Sequence, residues 1–123
     1  MRYLTARKRA EGKGAAHTGA EHHWHMIVSS AGLALIVPTF LYLFGSILGG
    51  SYEEVVSSLS HPGVAILFAL VLFVGMVHFR NGATVMIEDY TRGTTRKLLL
   101  VALACLTYGT IATGLFALGR IAL

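Results

Sequence analysis

The chain has 123 residues, 54% of them hydrophobic and only 13% charged, against about 25% charged in a soluble domain. That balance places it in a membrane and leaves no room for a soluble catalytic domain. Its net charge of +4 does not point to nucleic acid, since no soluble recognition fold accompanies the basic residues.

Three windows, Met26–Leu48, Pro62–Glu88 and Leu98–Leu118, reach the roughly 20 mostly apolar residues that one crossing requires. They predict an all-α membrane protein: a polar arm over residues 1–25, then a three-helix transmembrane unit over residues 26–123. The first apolar window follows a long polar arm and has no small-residue cleavage site behind it, so it is read as a retained span rather than a signal peptide. Arg2, Arg7, Lys8, Arg9 and Lys13 crowd the arm, the loop Gly49–His61 carries Glu53 and Glu54 but no Lys or Arg, and the loop Asp89–Lys97 holds Arg92, Arg96 and Lys97. The positive-inside rule then predicts a cytoplasmic N-terminus and a periplasmic C-terminus.

Span one opens with Glu21-His22-His23-Trp24-His25, where the indole suits a membrane interface. His22 and His25 are one turn apart and could share a metal ion. They lack the paired cysteines or His-Glu-x-x-His spacing of a strong zinc signature, so surface histidines or partner contacts are the favoured reading. Ser29 and Ser30 can bond back to helix carbonyls, and Pro38 is expected to kink or loosen the helix.

Span two starts at Pro62, which suits a first helical position, with Ser60 expected as N-cap. After the apolar run Val64–Val77 come His78, Arg80 and Asn81, and ionisable groups inside lipid are costly unless used. Gly75, His78 and Gly82 share one face. The glycines either leave room for a planar macrocycle beside the imidazole, or let a neighbouring helix approach so that His78 hydrogen-bonds across the interface. Residue types alone leave these two alternatives open. Asp89 returns to nearly the same face about 16 Å farther along, whereas Arg80 lies roughly 160° away from His78; it either snorkels to the boundary or meets an anionic group. Tyr90 at the membrane edge can donate to a quinone carbonyl, though residue type alone favours a plain interfacial tyrosine after a helix-ending aspartate.

Span three is expected to start near Thr94 or Thr95. Its glycines, Gly109, Gly114 and Gly119, recur every five residues, do not hold one face, and are assigned to packing. Cys105, the only cysteine, has no intrachain partner and is read as a small packing residue.

The stretch from His78-Phe79-Arg80-Asn81-Gly82 to Asp89-Tyr90, of the form H-x(3)-G-x(6)-D-Y, resembles the small D-type membrane-anchor subunits of succinate dehydrogenase, respiratory complex II. The polar arm, the three spans and the His23-Trp24 pair entering span one extend the resemblance over nearly the whole chain. It implies that His78 is one axial ligand of the iron of haem b, the other coming from a second, C-type anchor subunit. It further implies that Tyr90 bonds a ubiquinone carbonyl and that Asp89 supports that site or relays protons. Arg80 departs from the expected pattern and is assigned to a haem propionate or anionic lipid. Met26, Ile27 and Val28 stand where the family often has a basic residue, a departure that puts a quinone or haem contact from that turn in doubt. The implied partners are the C-type anchor, the iron–sulfur subunit, the flavoprotein subunit and membrane lipid, in a bacterial inner membrane. The chain is not catalytic alone. The alternative is a small oligomeric transporter or channel in which His78, Arg80 and Asp89 line a polar pathway; a helical anchor without cofactor is the third reading.

Overall fold

A computed structural model describes residues 5–12 and 19–123; Arg2 and Lys13 of the basic arm lie outside the described residues. Helix α1 covers Ala6–Glu11, with Thr5 as N-cap accepting a hydrogen bond from the Lys8 amide at 3.2 Å. Three long helices follow, α2 over Gly19–Ile47, α4 over Pro62–Tyr90 and α5 over Gly93–Ala122, with a short α3 over Tyr52–Leu59 between the first two. All described regular structure is helical. At 29, 29 and 30 residues, the long helices each run about 42–45 Å, beyond the roughly 30 Å of a hydrocarbon core.

Helix α4 is the centre of the arrangement, packed against both α2 and α5, whose backbones do not approach each other closely. Phe40 of α2 meets Phe68 of α4 edge-on at 4.8 Å. On the α5 side, a Cβ at Gly114 would overlap the Leu72 side chain, so this glycine sets how closely α5 approaches α4. The packing role expected for it is realised there. Only Ile111 and Thr107 are buried among the described residues, while large apolar side chains such as Leu35, Ile66, Val101 and Phe116 lie open. The exterior is apolar because its solvent is hydrocarbon or another helix rather than water.

Several boundaries differ from the expectation. Helix α2 already includes Gly19, so Glu21–His25 are helical ahead of the apolar window that opens at Met26. Pro38 does not break it: the segment stays α-helical on both sides. The loop Gly49–His61 contains α3, started by a capping box in which the Ser51 amide donates to Glu54 Oε2 at 2.7 Å and the Glu54 amide donates to Ser51 Oγ at 3.3 Å. The Ser-x-x-Glu signature was present in the sequence. Ser60 is not the N-cap of span two. It ends α3, and its hydroxyl bonds the carbonyls of Val56 at 2.8 Å and Ile121 at 3.0 Å. His61 takes the N-cap place without a side-chain bond, held extended before Pro62 by the ring that follows it. The second connection is only Thr91 and Arg92, because α4 continues through Asp89 and Tyr90 and α5 begins at Gly93, whose φ of 64° makes the turn.

Candidate functional site

His78 lies two residues past Met76, the midpoint of α4, hence about 3 Å from the middle of the helix. On α4, Gly75, His78 and Gly82 form a stripe with spacing i, i+3, i+7. On α2, Met26, Ser29 and Leu33 form the same stripe, and the two helices run antiparallel. They match residue for residue: a Cβ at Gly75 would stand 4.0 Å from Leu33, one at Gly82 would stand 3.9 Å from Met26, and between them Ser29 Oγ is 2.8 Å from His78 Nδ1. The space the glycines open beside the imidazole is therefore met by α2. Within this chain His78 bonds across a helix interface, as one of the two sequence readings anticipated.

That bond also bears on ligation. Ser29 Oγ also lies 3.1 Å from the Met26 carbonyl; with its single proton donated there, Oγ accepts from Nδ1–H. The matching tautomer carries its free lone pair on Nε2. Nε2 makes no hydrogen bond among the described residues and stays accessible from outside the chain rather than sealed in the interface. A metal-bound histidine characteristically has this form, one ring N–H held by a protein acceptor and the other nitrogen bare. The back-bonding of Ser29 was legible in the sequence; its reach across 49 residues to His78 was not.

Arg80 occupies the other side of α4, as its angular offset predicted. Its Nη1 donates to Tyr108 Oη on α5 at 3.2 Å, and its guanidinium carbon lies 5.3 Å from the Tyr108 ring centroid. A cation near the bilayer centre costs about 3 kcal/mol on insertion scales, and a desolvated cation–π contact returns about 2 kcal/mol, so Tyr108 offsets a large part of the cost. Nothing in the sequence beyond residue type singled Tyr108 out as this partner. Since His78 faces α2 and Arg80 faces α5, the two do not line a single polar path within the chain.

The last turn of α4 presents Asp89 and Tyr90 outward, with Tyr90 86% exposed. Neighbouring Glu88 is tied to Arg96 of α5 at 2.8 Å, which pins the turn between the helices and leaves the next two side chains projecting from a fixed base. Beside this end, a cleft of about 510 Å³ is lined by His22, His23, Met26, Ser30 and Val85 among others, a volume in the usual range for small-ligand sites. His22 Nε2 is buried there without a hydrogen-bond partner among the described residues. His25 instead faces Glu21 at 3.8 Å, and among the described residues no three His, Cys, Asp or Glu side chains gather to hold a metal.

The family model for the succinate dehydrogenase/fumarate reductase transmembrane subunit matches residues 1–113. The succinate dehydrogenase hydrophobic membrane anchor subunit of Paracoccus denitrificans is 41% identical over 123 residues, a span covering 100% of this chain and 95% of that relative. No solved structure matches the chain. With three apolar helices each long enough to cross a bilayer, the chain belongs to the succinate dehydrogenase/fumarate reductase transmembrane-subunit family and is a multi-pass membrane anchor of succinate dehydrogenase in the bacterial inner membrane.

Proposed function

We propose that this anchor contributes one axial ligand to haem b through His78 Nε2 and part of a ubiquinone site through Tyr90, and so takes part in passing electrons from succinate to quinone. The observation that carries the haem assignment is the Ser29–His78 bond at 2.8 Å, which holds Nδ1 and leaves Nε2 bare in a largely apolar setting. The residues fit the group through a single ring nitrogen, Nε2, left bare at the α2–α4 seam; the second imidazole would come from a C-type anchor subunit. When bound, haem supplies a one-electron carrier whose potential depends on its axial ligands and their hydrogen bonds.

This chain's part is to orient and to move protons. Ser29 fixes the ring plane and tautomer of His78. Tyr90, exposed at the end of α4, donates a hydrogen bond to a quinone carbonyl, and the adjacent Asp89 holds that surrounding in place or relays protons, taken up from water by its carboxylate, as the quinone is reduced. The Glu88–Arg96 ion pair keeps the end of α4 fixed while they do so. The basic arm and the acidic α3 support a cytoplasmic N-terminus and a periplasmic C-terminus. On that orientation Tyr90 faces the side where the flavoprotein and iron–sulfur subunits dock.

Replacing His78 with Leu in the assembled complex is the direct test. Loss of the low-spin b-type absorbance with the other subunits still copurifying is expected. A full haem complement in that variant would overturn the assignment.

A further inference from the structure

Arg80 carries a permanent charge and, among the described residues, has no carboxylate within ion-pair distance. Its only side-chain hydrogen bond there goes to Tyr108 Oη, which uses one of the five donors of a guanidinium. The rest need acceptors, and hydrocarbon provides none.

Depth narrows what the acceptor is. Arg80 is four residues past the midpoint of α4, and Tyr108 stands at the midpoint of α5. The Cα–Cβ bonds of both helices tilt toward their own N-termini, which point in opposite directions in this antiparallel pair. The side chains therefore converge between the two Cα levels, within about 6 Å of the centre. Lipid phosphates lie at least about 15 Å from the centre, beyond the reach of a guanidinium drawn inward toward Tyr108. A second copy of this chain does not supply the anion either. Its six acidic residues, Glu11, Glu21, Glu53, Glu54, Glu88 and Asp89, all lie in the arm, in α3 or at helix ends, and none sits mid-span.

The pair is also open to a neighbour. Tyr108 is 54% exposed and Phe79, next to Arg80, is 51% exposed, while His78 is turned away toward α2. We infer that the Arg80–Tyr108 pair on the α4–α5 side is a docking point for a mid-span Asp or Glu on a transmembrane helix of a different subunit. The carboxylate takes a bidentate bond from the fork of Arg80, with the Tyr108 ring closing one face. Neither haem nor quinone is needed for it.

The test uses the complete complex in its native membrane. With the photo-crosslinker p-benzoylphenylalanine in place of Tyr108, the expected adduct is to a membrane segment of another subunit, with an Asp or Glu within one helical turn of the attachment point. Adducts only to lipid, to a second copy of this chain, or to a segment without a carboxylate would overturn the inference. In parallel, Arg80→Gln is expected to lose that subunit on detergent extraction, and Arg80→Lys to retain it. If Arg80→Gln keeps every subunit and lowers only the haem content, the anion is a haem propionate and the inference fails.

Discussion

Replacing Ser29 with Ala removes the acceptor that orients His78 and leaves little else disturbed. Alanine is the best helix former, so α2 is expected to stay intact, and the lost bond to the Met26 carbonyl is a local one. What disappears is the 2.8 Å contact to Nδ1. A neutral hydrogen bond of this kind is worth about 1 kcal/mol net, and loss of the group that orients a metal-bound histidine costs about 10- to 100-fold in affinity, equivalent to roughly 1.4 to 2.7 kcal/mol. The assay is transfer of haem from the purified complex to excess apomyoglobin, followed by absorbance, together with the haem midpoint potential. Ser29→Ala is expected to release haem faster and to shift the potential, because the imidazole loses the hydrogen bond that raises its basicity. Ser29→Thr keeps a hydroxyl and should restore most of both. If Ser29→Ala retains haem at the wild-type rate with an unchanged potential, then the Ser29–His78 contact is only helix packing and the tautomer argument fails.

Tyr90→Phe keeps the ring and deletes the donor, so quinone reduction by the assembled complex should fall by about an order of magnitude or more, in line with loss of a positioned proton donor; full activity would remove Tyr90 from the quinone site. At Gly114, where a Cβ would overlap Leu72, Gly114→Leu should destabilise the α4–α5 pair by about 1 to 3 kcal/mol. Alanine at Gly75 or Gly82 meets only ordinary contacts and should be tolerated, a contrast read from the thermal dissociation of the complex. The Glu54 carboxyl is held below its ordinary value of 4.5 by bonds from the Ser51 backbone and then its hydroxyl. Because its folded value is depressed, its contribution to α3 is present above that ordinary value and is lost as the pH falls through the lower, folded one. Protection factors of the amides over residues 55–59, taken relative to intrinsic exchange at each pH, should therefore fall on acidification, and Glu54→Ala should abolish that pH dependence.

Much of the architecture follows from local pattern. A bilayer accepts only elements that satisfy their own backbone, so three apolar windows dictate three helices. The period of 3.6 then fixes that Gly75, His78 and Gly82 share a face and that Arg80 does not. Pro62 marked the start of α4 for an equally local reason, its missing N–H. Where local signals competed the sequence reading erred, as at Ser60, which fits a cap by type but is consumed by the end of α3.

Which side chain each face would meet was decided only by the tertiary structure. Ser29 lies 49 residues from His78 and Tyr108 lies 28 from Arg80, separations that no helical periodicity spans. Those pairings depend on the register between antiparallel helices. Register in turn is set by the length of each connection, two residues between α4 and α5 but a capped helix between α2 and α4, and by how closely Gly114 lets α5 approach α4. A sequence states the stripe on each helix. Only packing decides which stripe lies against it, and that is what sends His78 toward a serine and Arg80 toward a tyrosine.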